Sequence, residues 1–297
     1  DVIRSVLRAQ WHCGPAELAV LPSGPMSYAW AVTVGDQRLV ARLVDHPVRS
    51  ALEAGVAAAV HLRERGFVIG RPLRTLAGSL TAQAPAGTLS LVHRVPGRAL
   101  SAVDPLDQQW WGDRLGAAHR GLAGFDHQGL RRWTWLHPQD PCLDVEPWLR
   151  PAITDAANAL TRLTVTDRLT YGVLHGDPTV ESFVMDPATG RAGLLDWGAC
   201  GTGPLVYDVA AAVVQAGGPD AAAELIDGYL AAGPISRGEL DAALPVLMRV
   251  RWAVLAERCA RRLAVARSGS PGSCSPADLA QLLAARQALA AADGCLR

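Results

Sequence analysis

The chain has 297 residues, 49% of them hydrophobic and 19% charged, enough apolar content for one large core or two modest ones and too much for a disordered chain. Its 28 basic and 28 acidic side chains cancel, which argues against a nucleic-acid partner or an anionic membrane surface. No apolar run reaches transmembrane length, and the opening residues Asp1-Val2-Ile3-Arg4 do not read as a signal peptide.

In chain order, Tyr28–Val34 and Arg38–Val44 are strand-like, and Gly35-Asp36 between them is a hairpin signal. Arg49–Arg65 turns helical, with Leu52, Val56, Ala59, Val60 and Leu62 as its apolar positions and Gly66 as its stop. Thr88–Val95 is a further strand, closed by Pro96-Gly97. The first hundred residues thus predict a small sheet with one helix.

Beyond Pro96-Gly97 the pattern becomes mostly helical. Helices are expected over Asp104–Leu122, Trp148–Leu163, Pro204–Gln215, Asp220–Leu230, Arg237–Ala266 and Pro276–Ala292. The last has Ser275 and Asp278 placed as a capping box and Pro276 at its first position. The stretch holding Trp133, Trp135, Pro138, Pro141, Pro147 and Trp148 reads as irregular. The Gly/Ser/Pro-rich segment Ser268–Pro276 reads as a mobile surface loop. The expected architecture is α+β and bilobal: residues 1–96 an amino-terminal lobe, residues 97–297 a larger helical lobe, and a ligand cleft between them.

Within the helical lobe two short apolar runs each deliver an aspartate. One reads Val173-Leu174-His175-Gly176-Asp177, and the other Leu194-Leu195-Asp196-Trp197-Gly198. Two carboxylates on adjacent strand ends can divide the work of phosphoryl transfer. One orients and deprotonates a hydroxyl, while the other holds a magnesium ion on nucleotide phosphates.

The six cysteines show no Cys-x-x-Cys spacing and read as thiols of a reducing compartment, so a cytoplasmic protein is expected. There is no lysine, so all 28 cationic side chains are arginine.

These motifs together resemble the aminoglycoside phosphotransferase and choline kinase-like family, relatives of the protein kinases. His175-Gly176-Asp177 matches the catalytic loop and Asp196-Trp197-Gly198 the metal-binding motif. Gly203-Pro204-Leu205-Val206-Tyr207-Asp208-Val209-Ala210 matches a following Gly-x-Pro-x-x-Asp segment. Leu115-Gly116-Ala117-Ala118-His119 matches an upstream helix, and Leu91–Gly97 the strand that links the lobes.

The resemblance implies a bilobal kinase-like fold and roles for residues in it. Asp177 would be the catalytic base and His175 a brace of its loop. Asp196 would be a magnesium ligand, and Asp208 would support the catalytic loop. Ser23, Gly24 and Ser27 would lie over the phosphates. Arg42 falls where the family carries its phosphate-binding lysine, and Glu53 where it carries that cation's partner. The backbone of Val92, Arg94 and Val95 would hold the base of ATP or GTP.

The family's metal-binding asparagine is replaced by Ser182, which would reach the ion through a water, with Glu181 beside it as the alternative ligand. The implied activity is magnesium-dependent transfer of the nucleotide γ-phosphate to a hydroxyl of a small molecule or peptide. The setting would be antibiotic resistance or natural-product biosynthesis. The competing reading is a degenerate kinase, acting as a scaffold or peptide-binding partner in a biosynthetic complex.

His119 and the tryptophans at 110, 111, 133, 135 and 148 are read as packing residues. Asp140, Asp144 and Glu146 are the few carboxylates of the expected acceptor region, too few for a polycationic aminoglycoside.

Overall fold

The structure is a computed structural model that describes residues 2–21, 27–45, 48–132, 136–268 and 274–294. Ser23, Gly24, Trp133, Trp135 and most of the Ser268–Pro276 segment therefore lie outside the described residues, and of Ser27 only the backbone is described.

The amino-terminal elements are α1 (Val2–Trp11), β1 (Glu17–Leu21), β2 (Ser27–Val34), β3 (Gln37–Val44), α2 (Arg49–Glu64), β4 (Thr81–Ala84) and β5 (Gly87–His93). The strands form one five-stranded sheet in the order β1-β2-β3-β5-β4, with each neighbouring pair antiparallel. Gly35 turns the β2–β3 hairpin at φ 55°, so Val34 meets Gln37 in register and Ser27 meets Val44.

Side chains alternate along β3 as a pleated strand requires. Leu39, Ala41 and Leu43 are buried in a core with Leu7, Trp11, Leu89 and Leu91, and Arg42 stands on the opposite face. Helix α1 was not expected from the sequence. Its Ile3, Val6, Leu7 and Trp11 recur at helical spacing and pack against the sheet, and the Trp11 indole donates to the Leu73 carbonyl at 2.9 Å.

A second group of elements follows: β6 (Arg98–Ala99), α3 (Pro105–Gly121), β7 (Arg131–Arg132), α4 (Leu149–Thr166), β8 (Tyr171–Leu174), β9 (Phe183–Asp186), β10 (Arg191–Leu194) and β11 (Gly201–Pro204). After these come α5 (Val206–Ala216), α6 (Ala223–Ala232), α7 (Arg237–Arg267) and α8 (Pro276–Gly294). Two small sheets, β10-β9-β6 and β7-β11-β8, carry the loops that bear the two aspartates.

Helix ends follow their residues. Asp104 caps α3 by accepting from the Asp107 amide at 3.0 Å, and Ser275 and Asp278 exchange capping bonds at the start of α8.

The main core gathers Trp111, Leu115, Phe183, Tyr207, Tyr229 and Leu247, and it extends into α2 through Ala58, Ala59 and Leu62. A separate core of Ile153, Ala253, Cys259 and Leu289 joins α4, α7 and α8. The fold is the expected one, an antiparallel sheet lobe followed by a helical lobe.

Candidate active site

The Asp177 loop begins where β8 ends. His175 is completely buried, and its ring Nε2 lies 2.7 Å from the Leu195 carbonyl, next to Asp196. That bond makes Nε2 the donor, leaving Nδ1 with no hydrogen-bond partner among the described residues. The ring packs at 4.8 Å on Trp197. A ring so enclosed reaches no substrate. It ties the Asp177 loop to the Asp196 loop.

Asp208, in the first turn of α5 and fully buried, organises the same loop. Its carboxylate accepts from the His175 amide at 2.6 Å, from the Gly176 amide at 3.0 Å and from His119 Nε2 at 3.1 Å. His119 Nδ1 in turn meets the Tyr229 hydroxyl at 2.8 Å. The packed helix histidine is thus a positioning partner of Asp208. Gly176 sits at φ 88°, and a Cβ there would lie 2.1 Å from the Ala199 carbonyl, so only glycine lets the two loops cross.

Asp177 itself is gripped from α7. Arg251 Nη2 donates to Oδ1 at 2.5 Å and Arg258 Nη1 to Oδ2 at 3.0 Å. Burial works to raise the Asp177 carboxyl, but the two guanidinium charges and their hydrogen bonds outweigh it and hold it well below the usual carboxylate range. Neither arginine was expected from the sequence. They lie seven residues apart on one helix, hence on one face, and this spacing was the only signal of a pair.

Asp196 adopts the left-handed conformation at φ 60° and ψ 56°, uncommon for a residue with a side chain and frequent where function fixes the backbone. Its side chain is 45% exposed. Both its oxygens accept from Arg42, Oδ2 at 2.6 Å. The expected Arg42–Glu53 pair is therefore replaced: Glu53 bonds Arg49 one helical turn away at 2.8 Å, and Arg42 reaches across to Asp196.

Ser182 is buried, with its hydroxyl turned to the Asp177 carbonyl at 3.5 Å and the Thr179 hydroxyl at 3.4 Å. Glu181 accepts from Gln215 Nε2 at 3.0 Å and so is directed to α5. Of the linker residues, Arg94 already donates its amide to the Arg38 carbonyl at 2.8 Å, and Val92 pairs with Val40 inside the sheet.

Among the described residues no three His, Cys, Asp or Glu side chains gather into a metal cage. Of the two aspartates Asp196 is the more exposed, and it would be the one to hold a divalent ion.

Comparison with known proteins places this geometry. A homoserine kinase of Methylobacillus glycogenes is 27% identical over 247 residues, covering 79% of this chain and 76% of that protein. A microcompartment-associated aminopropanol kinase superposes with a TM-score of 0.76 at 18% identity, over 99% of this chain and 97% of the other. An amicoumacin kinase in complex with AMP-PNP, Ca2+ and Ami superposes with a TM-score of 0.75 at 15% identity, over 97% and 92%.

The model of the phosphotransferase enzyme family matches residues 17–243, from β1 through both aspartate loops and into α7. With that match spanning well over half of its length, and with the kinase-like fold around it, the chain belongs to the phosphotransferase enzyme family, whose chemistry is nucleotide-dependent phosphoryl transfer.

Proposed function

We propose that the protein transfers the γ-phosphate of ATP or GTP, in a magnesium-dependent reaction, to a hydroxyl of a small molecule. The observation that carries this reading is the pair of loops bearing Asp177 and Asp196, locked together by His175 and held from behind by Asp208. A fold that fixes two carboxylates at one cleft in this way has the parts that phosphoryl transfer needs.

Asp177 orients the acceptor hydroxyl and takes its proton as the oxygen attacks, a contribution typically of about 10²–10⁴ in rate. Asp196 would hold the divalent ion, whose chemistry is to neutralise charge on phosphate oxygens. Arg42, fork-shaped and always charged, shifts from Asp196 to the incoming phosphates. Ser182 supports the loop beneath Asp177 and would assist Asp196 in holding the ion. Val95 and the linker carbonyls are left to meet the base. The homoserine kinase relative supports a small hydroxylated acceptor over a peptide. The alanine- and arginine-rich, lysine-free composition fits a high-GC bacterial origin, and the family resemblance adds a setting in antibiotic resistance or natural-product biosynthesis.

The test is nucleotide binding by thermal shift with and without magnesium, followed by turnover. A magnesium-dependent shift is expected, with turnover reduced at least about a hundredfold in Asp177→Ala and Asp196→Ala. No shift with either nucleotide would sink the reading.

A second reading, a degenerate kinase serving as a scaffold or peptide-binding partner, is favoured by one observation: Arg42 occupies the Asp196 carboxylate while Ser182 faces inward. It predicts a folded protein indifferent to magnesium nucleotide.

A further inference from the structure

We infer that the acceptor of this enzyme carries a carboxylate close to the hydroxyl that is phosphorylated, and that Arg258, backed by Arg251, binds it. The inference rests on the phosphotransferase reading of Asp177 and names the acceptor class of that same site.

It begins from a charge imbalance. Around Asp177 one carboxylate faces two guanidinium groups, at 2.5 and 3.0 Å. Arg251 is buried and also reaches the Tyr207 hydroxyl at 3.4 Å, and its Nε has no partner among the described residues. Arg258 is different. Its side chain is 40% exposed, and it spends one of its nitrogens on Asp177. The rest of its planar fork remains beside the catalytic carboxylate, with the geometry that matches a second carboxylate in two parallel bonds.

Among the described residues the surrounding carboxylates are held elsewhere and do not contact the Arg258 fork. The turn at Pro141–Val145 packs on α7, and each acidic side chain of that neighbourhood is already engaged, with Arg261 serving both Asp140 and Glu257. Asp140 pairs with Arg261 at 2.7 Å, Asp144 with Arg150 at 2.5 Å and Glu146 with Arg267 at 3.3 Å. Glu257, buried, is shared between His137 at 2.8 Å and Arg261 at 2.6 Å. At Asp177 itself an arriving ammonium group would find the carboxylate already taken by two guanidinium groups. An anionic acceptor supplies the missing charge, takes up the Arg258 fork, and leaves Asp177 one restraint fewer with the hydroxyl set beside it.

The experiment compares 4-hydroxybutyrate and L-serine with their neutral amides and with 4-amino-1-butanol. Binding is followed by ligand-observed NMR and thermal shift, with the magnesium-nucleotide shift recorded on the same samples. The expected result is binding of the carboxylates at least about tenfold tighter than the amides, the size expected of one charge-assisted contact. That preference should collapse in Arg258→Gln and return in part in Arg258→Lys. Where turnover is seen, the loss should fall on KM more than on kcat.

Amide or amino alcohol bound as tightly as carboxylate overturns the inference. So does carboxylate binding that Arg258→Gln leaves unchanged, or the absence of any carboxylate binding by a sample that responds to nucleotide. A missing nucleotide response with the carboxylate preference intact sinks the kinase reading and leaves the anion site standing.

Discussion

Arg42 and Asp196 lie 154 residues apart in sequence and meet across the cleft in a two-bond pair, the Nη2–Oδ2 contact at 2.6 Å. Both side chains are partly exposed, so the pair contributes about 0–1 kcal/mol and gives way readily to a phosphate. Arg42→Ala should therefore leave the melting temperature nearly unchanged while weakening nucleotide binding about tenfold or more. Arg42→Lys should recover part of the loss. Thermal melts and nucleotide titration on the same preparations check both halves.

Asp208 serves three donors at once from full burial. Asp208→Ala leaves all of them without an acceptor, at a cost of about 3–5 kcal/mol, since each abandoned buried donor costs about 1–3 kcal/mol. Asp208→Asn keeps an acceptor oxygen and should lose less. Urea unfolding midpoints give the order, and the Asp177 loop should become the first site of increased amide exchange.

The pH response of Asp177 has a definite sign. A carboxyl held down by the fold binds its proton more weakly than in the unfolded chain. Its stabilising share is therefore complete above the ordinary value of 3.8 and is lost as pH falls below it. The difference in unfolding free energy between the wild type and Asp177→Asn should be constant from about pH 5 to 8 and shrink below about pH 4. For the same reason kcat/KM should show no ionisation of this base over that neutral range.

Helix α2 meets the Asp196 loop at a point that admits no side chain, because a Cβ on Gly55 would lie 2.0 Å from the Trp197 carbonyl. Gly55→Ala should destabilise by about 1–3 kcal/mol through forced displacement, despite the better helix propensity of alanine. Differential scanning calorimetry checks the stability, and the nucleotide shift should fall with it because Asp196 moves with the loop.

The thiols give a simpler check. Burial raises Cys200 to about 12, and burial together with Asp140 raises Cys142 to about 12. Neither should react with a thiol-directed reagent at pH 8 in the folded protein, and both should react in urea. Rapid native labelling of Cys200, counted by peptide mapping, would show that the loop opens.

Much of the site was legible because local sequence makes it. An apolar run that ends in His-Gly-Asp can hardly do other than deliver Asp177 from a strand end, and Asp196-Trp197-Gly198 does the same. The hairpin at Gly35 and the capping box at Ser275 are equally local. What escaped came from far along the chain or competed with a nearer partner. Arg251 and Arg258 reach Asp177 from 74 and 81 residues away, and no local pattern announces such a contact. Glu53 was expected to hold Arg42, but Arg49 stands one turn away on the same helix, a distance that always favours the local pair. Helix α1 was missed although its apolar residues recur at helical spacing, because its first turn carries no acidic residue and only ten residues carry the pattern.

The close fit of Gly55 against Trp197 also decides what can move. Through Ala58, Ala59 and Leu62, α2 shares the large core of the helical lobe, whereas its contact with the sheet rests on the small cluster of Val44, Leu52 and Val56. The weaker seam runs between α2 and the strands. A cleft that opens to admit nucleotide is expected to lift the sheet, and Arg42 with it, away from a helix that stays seated. The mechanical border would then pass through the amino-terminal lobe, at the seam between α2 and the strands.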